Sequence, residues 1–323
     1  MLIGNGFDLA HGLDTRYGDF IKSYTLDVLD RASKSGIDDT EWSITKGKAK
    51  NIQSLIPFKS NSREPEIKSH NRFLNLISDS VGENWTDFEG IYYKELRKWV
   101  DSSDYESALA YIIKLNEDFE RIKGLLLDYL DKENEKLQKE KSVANPQLES
   151  ILYDIVRSVS LATIFNFNYT STLNCYFSGN SRNRVKHIHG SLDNKKKNPP
   201  VLGFGDTQDD HYRVIENLNN NNFLEFSKYR AYALNSSYDE LELFLSDSSH
   251  FDVHIIGLSC GITDRVLLST ILEHNLCNKI HVYYYKNQEN FLHTITNISR
   301  VFKDKRKFIK RLVKFEESEM YAE

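Results

Sequence analysis

The segment Leu2-Ile3-Gly4-Asn5-Gly6-Phe7-Asp8-Leu9-Ala10 constrains the fold of this chain more than any other, because a short apolar run passes through two glycines into a helix-like stretch. Such a join needs backbone angles that side chains hinder, and a bare backbone lets an anion approach the amides at a helix start. The pattern predicts a strand, a tight turn and a helix, with Gly4 and Gly6 placed to cradle the phosphates of a nucleotide. Leu9 stands where the three-glycine dinucleotide fingerprint has a small residue, which disfavours a simple hydride-transfer enzyme. A plain pair of turn glycines is the competing reading.

A chain of 323 residues with 40% apolar content can bury a large core, in one elaborated domain or two coupled ones. A formal charge of -5 and a pI near 6.1 provide no general field for nucleic acid. The local basic run Lys303, Lys305, Arg306, Lys307, Lys310, Arg311 and Lys314 is interleaved with Phe308, Ile309, Leu312 and Val313, the pattern of an amphipathic element with a solvated charged face. Cys175, Cys260 and Cys277 are widely spaced, so neither a zinc knuckle nor a disulfide framework is expected, and a reducing cytoplasm fits. No apolar stretch reaches membrane-spanning length, and the N-terminus lacks a secretory leader. The first strand is short, which leaves open a start slightly upstream.

Glycines crowd the beginning (Gly4, Gly6, Gly12, Gly18) and the second half (Gly190, Gly203, Gly205, Gly257, Gly261). Between them Leu109, Ile112, Phe119, Ile122, Leu126 and Tyr129 recur at helical spacing. This divides the chain into residues 1–20 with 160–323, and a helical insertion over 21–159. Pro57, Pro65 and Lys59–Arg63 mark a loop within the insertion, and Asp131–Lys141 reads as an exposed helix end and linker. Strands are expected at Leu161–Phe167, Val185–Ile188, Phe251–Ile256 and Lys279–Tyr285. Thr263 is placed to cap a helix over Asp264–Asn275. Parallel sheets of such units bind ligands outside the carboxyl ends of their strands, so both glycine turns should face one crevice.

Two segments add polar groups at strand ends. In Phe165-Asn166-Phe167-Asn168-Tyr169-Thr170 the asparagines alternate with aromatics, so an asparagine face points away from an aromatic one, although an asparagine that merely caps a turn gives the same pattern. In Lys186-His187-Ile188-His189-Gly190-Ser191 the two histidines would share a strand face, with Gly190 releasing the chain. Nothing supplies further metal ligands at a supporting spacing, so no metal is expected. A satisfied structural histidine is the alternative for either ring.

Taken in order, the glycine turn, F-N-F-N-Y-T, H-G-S and Gly257-x-Ser259 resemble the nucleotide site of sirtuin-like proteins. The opening segment through His11-Gly12-Leu13, with Thr15, Tyr17, Asp19 and Phe20, then Trp85-Thr86-Asp87-Phe88-Glu89, and Gly257-x-Ser259 with Asp264, more closely resemble the bacteriophage abortive-infection AbiH family over nearly the whole chain. That resemblance implies an α/β fold, a sirtuin-like Rossmann parallel sheet flanked by helices with a large helical insertion, and a role in bacterial antiviral defence. It assigns Gly4, Asn5 and Gly6 to the phosphate turn. Gly257 and Ser259 with Asp264 fall to the ribose and phosphates, Asn168-Tyr169-Thr170 to the ribose and water, and His189 to catalysis. Thr170 replaces the more usual aspartate, and the four-cysteine module of protein deacylases is absent.

The expected reaction is hydrolysis of the nicotinamide glycosidic bond of NAD, which is substrate rather than cofactor. His189 would act as general base, Asn168 would hold the water or a ribose hydroxyl, and Asp8 would steady the cation or bind ribose unless it merely caps the helix. A sensor or scaffold that binds NAD without cleaving it needs only the turn. A constitutive NAD hydrolase would kill its host, so gating by homo-oligomerisation or by a partner defence protein encoded in the same operon is expected. Nucleic-acid cleavage is disfavoured because no acidic metal cluster accompanies the basic run.

Overall fold

Six strands, most of them rich in β-branched and aromatic residues, pair into one sheet: β1 Leu2–Ile3, β2 Thr163–Asn166, β3 Arg184–His187, β4 Phe251–Ile256, β5 Cys277–Tyr285 and β6 Met320–Ala322. The structure is a computed structural model that describes residues 1–35, 37–38, 42–44, 67–80, 88–100, 102–139, 145–159, 161–177, 184–205, 209–234 and 236–322. All neighbouring strands of the sheet are parallel, in the order β3-β2-β1-β4-β5-β6. This is the 3-2-1-4-5-6 order of doubly wound sheets, in which the chain first builds outward on one side of β1 and then returns to build on the other.

Side-chain alternation gives the sheet two apolar faces. Leu2, Phe165, Val253, Ile255 and Ile280 pack with helices Ser237–Asp247, Arg265–Leu272 and Gln288–Val301. Ile3, Ile164 and Ile256 pack with Phe7 and with helix Pro146–Ser158, whose Leu148, Ile151, Leu152 and Ile155 form a buried stripe. That helix starts where it does because Asn145 accepts from the amides of Gln147 and Leu148, and Pro146 needs no amide partner in the first turn.

The chain forms two compact units, one of residues 1–15, 130–212 and 227–323 and one of residues 16–129 and 213–226. The expected insertion over 21–159 differs at both ends. Residues 130–159 belong with the sheet because helix Pro146–Ser158 covers it, and 213–226 belongs with the helical unit. Within the helical unit, helices Tyr17–Ser35, Arg72–Ser80, Phe88–Val100 and the first turns of Tyr105–Lys139 are the main elements. Phe73, Phe88, Tyr92 and Phe119 meet there ring to ring.

Two expectations for this region are corrected. A three-stranded antiparallel sheet, Ile37–Asp38, Trp42–Ile44 and Ile67–Ser69, lies within the stretch expected to be helical; its strands are too short for period-two alternation to register. The stretch beginning at Asp131 continues a helix to Lys139 with Glu133, Asn134 and Leu137 buried, so up to that residue it is no exposed linker. Trp85, Thr86 and Asp87, the loop residues Pro57, Pro65 and Lys59–Arg63, and Glu140 and Lys141 lie outside the described residues. Phe88 and Glu89 begin a helix and are buried. No helix among the described residues is long and apolar enough to cross a membrane.

Candidate functional site

β1 ends at Ile3, and the chain turns through Gly4 into the five-residue helix Asn5–Leu9, which carries Asp8 back over the carboxyl edge of the sheet. Asp8 is 1% exposed. Thr170 donates to its Oδ2 at 2.6 Å and Asn168 Nδ2 to its Oδ1 at 3.1 Å. The same Nδ2 donates to the Gly4 carbonyl at 3.0 Å, which ties the loop after β2 to the turn after β1. Burial pushes the Asp8 carboxyl up to about 6 despite the opposing hydrogen bonds from Thr170, Thr172 and Asn168. Both Asn168 amide protons are thus engaged, and its Oδ1 is the acceptor left to meet a hydroxyl or a water.

A second polar group forms from the loops after β3 and β4. In the sheet those strands are separated by β2 and β1, about 14 Å at ordinary strand spacing. Their loops nevertheless meet, with His189 Nε2 3.2 Å from Asp264 Oδ1. This buried nitrogen makes no hydrogen bond and meets the carboxylate at ion-pair distance only. Lys228, 3% exposed at the start of helix Lys228–Tyr232, donates to the same Asp264 oxygen at 2.9 Å and to the Thr263 carbonyl at 3.2 Å. Burial alone would raise the Asp264 carboxyl, but the Lys228 cation and the contact with His189 outweigh it and hold it below the usual carboxylate range. The His189 ring packs edge-on against Phe167 at 5.0 Å and parallel to Tyr232 at 6.4 Å. Beside this group a shallow, tightly closed groove is lined by Gly205, Lys228, Tyr229, Tyr232, Thr263, Asp264, Val266 and Leu267.

The family model for bacteriophage abortive infection AbiH matches residues 1–286. The chain belongs to the AbiH family. No match was found to a curated protein or to a solved structure. AbiH membership points to a role in phage abortive infection, and the match takes in both polar groups while ending before β6.

The glycines of the two turns pack against each other in this AbiH chain. The Gly4 amide donates to the Ile256 carbonyl at 3.0 Å and the Gly6 amide to the Gly257 carbonyl at 2.7 Å, so the turns after β1 and β4 bond to each other. A Cβ on Gly4 would fall 2.5 Å from Leu258 Cα, and one on Gly257, at φ +65°, would fall 2.4 Å from the Phe7 amide. Their lack of side chains serves backbone packing, and these two amides are not open donors for a phosphate. Asn5 is engaged with Thr15, accepting from its hydroxyl at 2.5 Å and donating to its carbonyl at 3.3 Å.

Asn168 and Asp8 thus meet the opening turn, whereas His189 meets Asp264 beside Phe167, whose ring belongs to the opposite apolar face from Ile3 and Phe7. The two groups adjoin through the consecutive residues Phe167 and Asn168. Tyr169 donates to the Val201 carbonyl at 2.9 Å, and Ser259 is exposed with its carbonyl accepting from Asn297. His187 and His189 do not share a set of contacts, because the strand ends at His187. That ring lies 3.1 Å from the Asn168 carbonyl, and burial lowers its pKa.

Among the described residues no cluster of His, Cys, Asp and Glu could hold a metal. Asp264 precedes helix Arg265–Leu272 and replaces Thr263 as its N-cap residue. It makes no side-chain cap bond, its carboxylate being engaged by Lys228.

Lys228 and Thr172 were not legible in the sequence. Lys228 sits in an ordinary amphipathic stretch, and only the distant Asp264 gives it meaning; Thr172 follows Thr170 in a short 3-10 turn.

Proposed function

We propose that this AbiH protein is an anti-phage effector that binds NAD at the carboxyl edge of a sirtuin-like sheet and hydrolyses its nicotinamide glycosidic bond. The observation carrying this reading is the contact of His189 with Asp264 across the edge of a 3-2-1-4-5-6 sheet, at the strand-order reversal where doubly wound folds take dinucleotides. A carboxylate behind an imidazole orients the ring and stabilises the imidazolium that forms when it accepts a proton.

In the proposed step a water oxygen bonds to the ribose anomeric carbon as the bond to the nicotinamide nitrogen breaks. The electron pair of that bond neutralises the pyridinium, the water proton passes to His189, and nicotinamide leaves uncharged. The Asp8 carboxylate, ionised above about pH 6, stabilises the oxocarbenium-like charge at the ribose, and Asn168 Oδ1 accepts from a ribose hydroxyl or the water. Purified full-length protein, tested alone and with any partner encoded beside it, is expected to release nicotinamide from NAD, and His189→Ala to reduce release by about a hundredfold or more. Undiminished release by that variant would remove His189 from the mechanism.

A second reading, a sensor that holds the nucleotide without cleaving it, draws on the engagement of both Asn168 amide protons within the protein. Tight calorimetric binding of NAD with no nicotinamide release under any partner or phage trigger would favour it. Under either reading, gating by self-assembly or a partner defence protein restrains the effector until infection.

A further inference from the structure

Lys228 is a buried cation that meets Asp264, and it shares one carboxylate oxygen with His189. Its Nζ lies 2.9 Å from Asp264 Oδ1, and His189 Nε2 lies 3.2 Å from that same oxygen. Lys228 donates a hydrogen bond to this oxygen and a second one to the Thr263 carbonyl, while the imidazole is left at ion-pair distance without one. All three side chains are largely enclosed, at 3%, 14% and 7% exposure for Lys228, Asp264 and His189, so their charges are little screened.

We propose that Lys228 is the positioning residue of this site, a fixed counter-ion that satisfies Asp264 and thereby keeps the His189 ring neutral and able to accept a proton. A carboxylate with no other partner would draw a proton onto the neighbouring imidazole and convert the base to its inactive form. With Lys228 in place the anion is already balanced, and a second cation beside it is disfavoured by repulsion from the ammonium. Three further ionisable side chains lie around the pair. The Cys260 thiol is buried and kept protonated by burial and by the Asp264 charge. The Tyr232 ring lies parallel to the imidazole, and Arg265 follows Asp264 at the start of its helix. The catalytic half of this inference rests on the NAD-hydrolysis reading; the electrostatic half does not.

The test separates the two. In the intact chain, the His189 ring resonances, assigned by their loss in His189→Asn, are followed by NMR against pH in wild type, Lys228→Met and Lys228→Arg. The midpoint of His189 is expected to rise by about one pH unit or more in Lys228→Met and to return toward wild type in Lys228→Arg. If Lys228→Met does not fold, Lys228→Gln takes its place, since it keeps a donor for Asp264 while removing the charge. An unmoved midpoint in a folded, uncharged variant would overturn the proposal.

Nicotinamide release at about pH 7 is expected to fall roughly tenfold in the uncharged variant through kcat rather than KM, with the acidic limb of its pH profile displaced upward by the same interval. A midpoint that moves in a protein with no nicotinamide release would sink the NAD reading and leave the Lys228–Asp264–His189 coupling established.

Discussion

Two carboxylates at one sheet edge are driven in opposite directions by their surroundings. Asp264, met by Lys228 and His189, is held ionised, whereas Asp8 meets only neutral donors and its pKa rises to about 6 from an ordinary 3.8. Because the folded protein binds the Asp8 proton more tightly than the unfolded chain, the stability that this group contributes is complete below about pH 3.8 and is lost as pH rises through about 6. Asp8→Asn removes that titration. Relative to the variant, wild type is expected to lose on the order of 3 kcal/mol between about pH 4 and about pH 7.5, measured by urea unfolding at the two pH values. An equal difference at both would show that Asp8 does not titrate in this range. The residue types at both carboxylates were legible from the motifs. The partner that distinguishes them was not, because a lysine at position 228 carries no local sign that it will meet an aspartate 36 residues later.

At the scale of the element, the helix Tyr105–Lys139 was legible in its middle and misread at its end. Charged residues at 131–139 look solvated along the chain, yet Asn134 turns inward. Its Oδ1 accepts from the Ser171 amide at 2.8 Å and the Ser171 hydroxyl at 2.9 Å, and its Nδ2 donates to Asp193. The helix end therefore holds the loop that presents Asn168 and Thr170. Asn134→Ala leaves the buried Ser171 amide without an acceptor and is expected to cost about 1 to 3 kcal/mol. Hydrogen exchange at Ser171 should accelerate while amides of β4 keep their protection, and unchanged exchange at Ser171 would deny the helix this supporting task. β4 itself was read to the residue, because Val253, Ile255 and Ile256 are buried and the strand ends at a glycine.

Across the whole molecule, the parallel sheet with flanking helices followed from strand-glycine-helix units in the sequence, while strand order did not. Which strand neighbours which is decided by contacts such as that of Gly6 with Gly257, some 250 residues apart, and no local pattern encodes them. The defence role and the proposed chemistry meet at the level of the cell. During phage infection, cells expressing the wild-type protein are expected to lose most of their NAD, and cells expressing Asn168→Ala to keep it. Protein abundance must be followed in parallel, because Asn168 also braces Asp8 and the Gly4 carbonyl. Equal NAD loss at equal abundance would exclude Asn168 from the reaction.

The last strand adds a constraint of another kind. A methyl group on Gly6 would lie 2.3 Å from the Tyr321 hydroxyl, yet residue 321 falls beyond the family match, which ends at 286. In this chain the opening bend and the last strand are therefore packed against each other. A chimera grafting another relative's tail onto the first 286 residues would leave a hollow over Gly6 unless the graft restored a side chain of similar reach.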